Sequence, residues 1–356
     1  MMDDQYANKS LERIFAFLDR PAFTGFTDDD LFIKQFVKKG WGQDIAALSN
    51  IAEGLRNLSD AGRITPTDLA PRMARVVEYA LHPSVSPWKR PITSNTNLGG
   101  HGYYLEHLNI ILGCYQATVN DRYLELNTRI SEHLIALTRE HPLRHARLLP
   151  HVKMRWCADQ AAVLYSVWLF DQNNHTTLHH QTASEWLTAM DEQLTHRDSG
   201  LYQTEALGVK KYSKQPRGCS SAYMIYYLGH FAPETAAAQW HLFKSAMYEK
   251  TLGFSGFREY LPAYNGQWTP DSGPIIAGIG MAASALAIKA AGIVGDHGTQ
   301  QALISSANRA HGLVTTLGHI PGASKLTRVA TDMLASGIYL AGSTTSPRTT
   351  PTALAA

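Results

Sequence analysis

The sequence predicts an all-α fold, an (α/α)6 barrel in which six helical hairpins close into a toroid. Apolar residues recur at helical spacing in segment after segment, and alternating strand-like runs are scarce. Two stretches in the middle of the chain share one order, in which a helix that is apolar all round is followed by a polar break and an amphipathic helix. An open α-solenoid is the structural alternative. Closure is favoured because polar and aromatic loops precede the inner helices, at 84–100, 142–156, 201–217 and 250–271.

Composition sets the size of the domain and excludes some partners. The chain has 356 residues and is 44% hydrophobic, which is enough for one large core, so we expect a single domain over 1–340 and a disordered Pro/Thr-rich tail over 341–356. A net charge of +2 argues against a nucleic-acid partner, and no apolar run is long enough to span a membrane. Three widely spaced cysteines and an N-terminus without a signal peptide predict a cytoplasmic protein, or a periplasmic one if a signal has been removed.

Helical spacing and turn chemistry divide the chain into twelve expected helices. Asp271 or Ser272 is expected to cap the tenth, since Pro274 would then fall in its first turn. The expected helices cover 9–19, 28–59, 67–82, 101–118, 120–140, 157–172, 178–195, 218–230, 233–249, 272–292, 297–317 and 325–341.

The residues with acid–base or nucleophilic chemistry gather near the starts of inner helices. His107 shares a helix face with Tyr104, while Cys157 and Cys219 stand where helices begin. The unpaired N–H groups of a helix start lower the pKa of a thiol, so these cysteines are expected to be catalytic partners of His107. Asp159, Glu259 and Asp271 add carboxyl groups, and Tyr104, Trp156 and Tyr223 are expected to line an apolar pocket.

Simpler structural roles compete with these assignments. His107 and the three cysteines, including Cys114, also suit a packed core, and Asp271 also suits a helix cap. No metal-ligand spacing is present, and Gly278-x-Gly280 follows no strand and is not a phosphate loop, so we expect neither a metal nor a cofactor.

Two blocks of sequence resemble bacterial linalool dehydratase/isomerase. The blocks are HLNIILGCYQATVNDRYLE and CADQAAVLYSVWLFDQ, and weaker counterparts follow in the same order over roughly residues 100–295. The resemblance implies an (α/α)6 barrel, a homo-oligomer, and cofactor-free addition or removal of water at a small apolar terpene alcohol. It places the family's active histidine on His107 and one of its two cysteines on Cys157.

This chain departs from the family at two places. The family's second cysteine falls on Leu148, and Cys219 stands where the family has a tyrosine. Tyr104 matches a family tyrosine, and Glu259 follows an arginine as in the family's Arg-Glu pair.

Three functions therefore stay open. The first is acid–base dehydration, hydration or isomerisation of an apolar alcohol by His107, Cys157 and Cys219. The second is a six-hairpin glycosidase or glycan lyase that uses Asp159, Glu259 and Asp271, with Trp156 and Trp268 as sugar platforms. The third is a toroid that binds a small molecule without catalysis.

Overall fold

Thirteen helices and three two-stranded antiparallel sheets are formed by the described residues of the chain. The computed structural model describes residues 5–33, 42–207, 214–264, 266, 268–269, 271–316 and 323–347. The helices are α1 (Gln5–Leu18), α2 (Gln43–Asp60), α3 (Pro66–Leu81), α4 (Gly102–Thr118), α5 (Leu124–Arg139), α6 (Cys157–Asn174), α7 (His180–Gln193), α8 (Gly218–Phe231), α9 (Pro233–Met247), α10 (Met281–Ile293), α11 (His297–Thr316), α12 (Ala323–Ala330) and α13 (Met333–Thr344). The strands are β1 (Arg155–Trp156), β2 (Glu205–Leu207), β3 (Tyr248–Thr251), β4 (Phe254–Phe257), β5 (Ile275–Ile276) and β6 (Ile279–Gly280), paired β1–β2, β3–β4 and β5–β6.

Six helices form a closed inner ring in the order α2, α4, α6, α8, α10 and α13, with α13 packed back against α2. Helices α3, α5, α9, α11 and α1 pack against this ring from outside, and α7 packs beside α5. The predicted (α/α)6 barrel is therefore confirmed, and the open solenoid is excluded by the contact between α13 and α2.

The hydrophobic pattern of each helix decides its place in the barrel. Helix α10 is apolar all round and buries an unbroken run from Leu286 to Ile293, as an inner helix must. Helix α3 buries only one stripe, which includes Leu69, Met73 and Val76, and turns its polar face outward.

The region before α10 differs from the expectation of a helix over 272–292. Residues 275–280 form the β5–β6 hairpin, and the helix begins at Met281, so neither Asp271 nor Ser272 caps it. The reason is local, because Ala277 and Gly278 have φ values of 51° and 84°, which a right-handed helix does not accommodate. Asp271 is left in a loop.

The two chain ends also differ from the expected boundaries. Helix α13 continues to Thr344, so the predicted tail boundary at 341 falls inside a helix, and the side chain of Gln300 donates to the carbonyl groups of Gly342 and Thr345. The described residues do not include 348–356 of the expected tail. They also do not include 34–41 of the expected helix over 28–59. Within the described residues, every helix is too short or too polar to cross a membrane.

A buried ion pair joins three inner helices on the inside of the ring. The Lys289 Nζ on α10 lies 2.8 Å from Glu53 Oε2 and 2.9 Å from Asn50 Oδ1, both on α2. The Tyr226 hydroxyl of α8 donates to Glu53 Oε1 at 2.8 Å. Lys289 and Glu53 are each 1% exposed, so each charge depends on the other.

We expect Lys289→Met to lower the free energy of unfolding by about 3–5 kcal/mol, because it leaves the Glu53 carboxylate buried without a counter-charge. Urea denaturation followed by circular dichroism measures the loss. Adding Glu53→Gln to the same protein removes the stranded charge and should recover much of the stability. A Lys289→Met protein that is as stable as the parent would contradict the role of Lys289 as the counter-charge of Glu53.

Candidate functional site

A cavity of about 700 Å³ opens among the N-terminal ends of the inner helices. This volume falls within the range of about 300–1,000 Å³ that is typical of small-molecule sites, and most of the wall is apolar. Each inner helix contributes to the wall from its first two turns. These contributions are Gln43 and Ala46 of α2, Tyr103 of α4, Asp159 of α6, Cys219 and Tyr223 of α8, Met281 of α10, and Leu334 of α13.

Five of the residues predicted for the site line this cavity, and four do not. The lining residues are Trp156, Asp159, Cys219, Tyr223 and Asp271. The residues behind the wall are Tyr104, His107, Cys157 and Glu259.

Three carboxyl groups line the cavity, those of Asp159, Asp271 and Asp332, and the first two lie in different electrostatic environments. Burial raises the pKa of Asp159 to about 7, and the negative charge of Asp271 adds to the rise. Burial also raises the pKa of Asp271, but the Arg217 guanidinium works in the opposite direction. About half of the Asp271 side chain is exposed, so solvent screens its charge more than burial alone suggests. Burial therefore favours the neutral form of Asp159, while Arg217 and solvent favour the charged form of Asp271.

Glu259 holds Arg217 in place. The Arg217 Nε lies 2.9 Å from Glu259 Oε1, its Nη2 donates to Thr269 Oγ1 at 2.6 Å, and its Nη1 lies 3.8 Å from Asp271 Oδ2. Glu259 has no exposed surface and does not line the cavity, so it lies behind Arg217, which does.

The same glutamate fixes the start of α8. The Gly218 N–H donates to the Glu259 carbonyl oxygen at 2.8 Å, and the Cys219 N–H donates to Glu259 Oε2 at 3.1 Å. A Cβ on Gly218 would lie 2.1 Å from the carbonyl oxygen of Arg258, so only glycine allows this approach. The approach brings Cys219 to the cavity wall, where its Sγ donates to Glu259 Oε1 at 3.1 Å.

The expectation that helix starts favour thiolates is not met. Burial raises the pKa of both the Cys157 and the Cys219 thiols, so each stays protonated near neutral pH. A helix terminus stabilises a negative charge by about 0.3–2 kcal/mol, which does not offset full burial. Of the two, only Cys219 reaches the cavity.

His107 acts on the cavity through another residue. It is fully buried, with Nδ1 2.6 Å from Ser49 Oγ and Nε2 3.5 Å from the Tyr223 hydroxyl. Burial, with the charge of Lys289, lowers the pKa of His107 to about 3, so the imidazole is neutral. Tyr104, predicted on the same face, instead donates to the carbonyl oxygen of Ala80 on α3 at 2.8 Å. The phenol of Tyr223 is therefore the group that this cluster presents to a ligand.

Sequence reasoning missed two residues of the cavity wall, Tyr103 and Arg217, and a buried carboxyl group outside that wall, Glu106. Glu106 on α4 has no exposed surface, and neither carboxyl oxygen has a hydrogen-bond partner among the described residues. Burial raises its pKa well above the usual range, so it is a neutral acid. A glutamate inside the apolar run GYYLEHLNIIL is a sequence signal that could have found it, whereas Arg217 and Tyr103 carry no comparable signal.

Comparison with known proteins shows the fold and leaves the family open. The chain matches no family profile and no curated protein sequence. Among solved structures, it is similar to a GH76 α-mannanase of Bacteroides thetaiotaomicron, with a TM-score of 0.57 and 12% identity over 95% of this chain and 94% of that one. It is also similar to the GH76A α-1,6-mannanase of Salegentibacter sp. HEL1_6, with a TM-score of 0.56 and 12% identity over 95% and 99%.

A further structure of the Salegentibacter enzyme is an inactive variant in which two consecutive aspartates are replaced by alanine. It is bound to α-1,6-mannotetrose, and its TM-score is 0.53 at 12% identity over 95% and 99% of the two chains. At 12% identity, the structural similarity establishes a shared (α/α)6 architecture and no more. The specific resemblance to linalool dehydratase/isomerase finds no support in these comparisons.

The raised pKa of Asp159 makes a prediction about stability. The folded carboxyl titrates near pH 7 and an unfolded aspartate near pH 4, so between these values the folded protein holds the extra proton. Stability should therefore fall as the pH rises through this window. Asp159→Asn removes the effect and should reduce the loss between pH 5 and pH 8 by about 1–3 kcal/mol, measured by urea unfolding. Burial also raises the pKa of Asp332 to about 7. Because both proteins contain Asp332, its contribution to the loss of stability cancels in the difference. Equal losses in the two proteins would contradict the assignment.

Proposed function

We propose that this protein is a glycoside hydrolase, with Asp159 as general acid and Asp271 as the partner carboxylate. One observation carries the proposal: Asp159 and Asp271 interact electrostatically and face one cavity, and Arg217 opposes the rise in pKa at Asp271 alone. A pair of this kind divides the acid role from the base role.

The reaction balances with these two side chains and one water. Asp159 gives its proton to the glycosidic oxygen as the bond from that oxygen to the anomeric carbon breaks. Water adds to the anomeric carbon and passes its proton to Asp271, whose carboxylate Arg217 faces at 3.8 Å. Asp271 then releases a proton to solvent and Asp159 takes one up, which restores both carboxyl groups. The indole of Trp156, on the same wall, offers a platform for a sugar ring.

The structural neighbours support a glycan substrate and suggest α-mannosides as the first to test. Their names describe mannanases, one of them bound to α-1,6-mannotetrose. The inactive Salegentibacter variant lacks two consecutive aspartates. This chain has no such pair at Asp159, which stands between Ala158 and Gln160. Its second carboxyl comes from a distant loop.

A second candidate is the dehydration or hydration of an apolar alcohol. The apolar wall favours it, as do Cys219 and Tyr223 on that wall with His107 behind the tyrosine. Asp159 would again be the acid and would protonate the leaving hydroxyl. The two candidates therefore differ in substrate and share their proton donor.

We expect Asp159→Asn and Asp271→Asn each to reduce kcat at least about a hundredfold while the fold is kept, since a positioned acid or base contributes about 10²–10⁴-fold. Release of 4-nitrophenol from a panel of glycosides that includes the α-D-mannoside measures turnover by the parent protein. Release of reducing ends from α-1,6-mannooligosaccharides measures the loss in each variant, because a sugar leaving group needs the proton that 4-nitrophenol does not. Gas chromatography of linalool incubations measures the second candidate. Asp198→Asn, in an exposed turn after α7, is the matched control. Turnover of linalool alone would reject the hydrolase, and an Asp159→Asn protein that is fully active on the oligosaccharides would reject Asp159 as the acid.

The pH profile tests the two roles separately. Activity needs Asp159 protonated, so kcat/KM should fall as the pH rises through about 7, the pKa of Asp159. It should also fall in acid, where Asp271 takes up a proton. A profile that stays flat from pH 5 to pH 9 would contradict the assignment of Asp159 as the acid.

A further inference from the structure

The cavity has a second wall, which carries neither member of the acid pair. Helix α11 presents Leu303, Ala307 and Ala310, whose spacing of three and four residues places them on one face. Helix α13 presents Leu334 and Ile338 in the same way. We call the space between these two faces the apolar arm. The small side chains on α11 leave it open.

The polar groups that border the apolar arm are engaged within the protein. Asp332 accepts hydrogen bonds from the N–H groups of Ala335 at 2.9 Å and Ile33 at 3.2 Å. Tyr6 donates to the carbonyl oxygen of Ala330 and stacks on His311 with ring centroids 4.6 Å apart. What remains for a ligand is mainly hydrocarbon surface.

The rim of the apolar arm is apolar as well. Leu252, Ile276 and Leu313 line the cavity while exposing 91%, 57% and 51% of their surfaces. Exposed apolar side chains that are contiguous with a pocket are typical of a binding surface.

The position of Leu252 makes this rim more informative. Leu252 has φ 53° and Gly253 φ 81°, in the two-residue turn between β3 and β4. Such turns favour Asn-Gly, and a left-handed conformation costs most other residues about 1–2 kcal/mol. A leucine is thus held in a strained conformation with its side chain in solvent at the mouth of the cavity. Folding does not require a leucine at this position, whereas contact with an apolar ligand would give the leucine a purpose.

We propose that the apolar arm binds the hydrocarbon chain of an amphiphilic substrate whose sugar lies between Asp159 and Asp271. This inference rests on the proposed function and specifies its substrate class, a glycoside with a long alkyl aglycone. The sugar occupies the end of the cavity that holds Asp159 and Asp271, and the chain runs between α11 and α13 past the rim residues.

Binding of the chain can be measured without turnover. Primary alcohols from butanol to decanol compete with N-phenyl-1-naphthylamine, a fluorophore that brightens in apolar sites. We expect the affinity to rise about two- to fourfold for each added methylene. Ala307→Trp fills the arm and Leu252→Asn removes the apolar tip, so both should flatten this dependence. Leu252→Asn also suits the turn and should melt no lower than the parent. Ala238→Trp, exposed on α9, is the control and should leave the dependence unchanged.

A kinetic experiment compares methyl, octyl and dodecyl α-D-mannosides as substrates. The parent protein and Ala238→Trp should show a lower KM for the longer chains, and both arm variants should lose that preference. Alcohol affinity that does not depend on chain length, or that Ala307→Trp leaves unchanged, would overturn the inference even if glycosides are cleaved. Dependence on chain length without glycoside cleavage would support the arm and reject the proposed hydrolase.

Discussion

Closure of the inner ring is the constraint on which the rest of the structure depends. The contact between α13 and α2 closes the ring, and the N-terminal ends of the six inner helices surround one space. Asp159 lies in the first turn of α6, and Asp271 lies in the loop before the β5–β6 hairpin. The two are more than a hundred residues apart in sequence, yet they share a cavity because the ring surrounds it.

Desolvation then decides which groups can do chemistry. Burial raises the pKa of Asp159 into the range where a carboxyl group donates protons at neutral pH, and it lowers the pKa of His107 so far that the imidazole stays neutral. The same burial keeps the Cys157 and Cys219 thiols protonated. The apolar wall thus favours carboxyl chemistry over the histidine–thiol chemistry that the sequence resemblance implied. The wall also offers a surface for a hydrocarbon chain.

The sequence contained the architecture because that architecture follows from periodicity. Helices apolar all round became the inner ring, and a one-faced helix such as α3 became part of the outer layer. The sequence could not show which side of a helix start meets the cavity. Asp159 reaches the cavity while Cys157, two residues earlier, packs behind it. Arg217 gains its role only from Glu259 and Asp271, which the chain brings to it from 42 and 54 residues away. Such contacts depend on tertiary packing, which local patterns do not encode.

The protonation state of Asp159 tests this account most directly. Carbon-13 NMR of protein labelled at the aspartate carboxyl carbons follows each titration, and spectra of Asp159→Asn assign the resonance and separate it from Asp332. The account predicts that Asp159 titrates near pH 7. It also predicts that the value falls in Asp271→Asn, because the neighbouring negative charge is gone. Titration of Asp159 near pH 4, in the parent and in Asp271→Asn alike, would contradict the account.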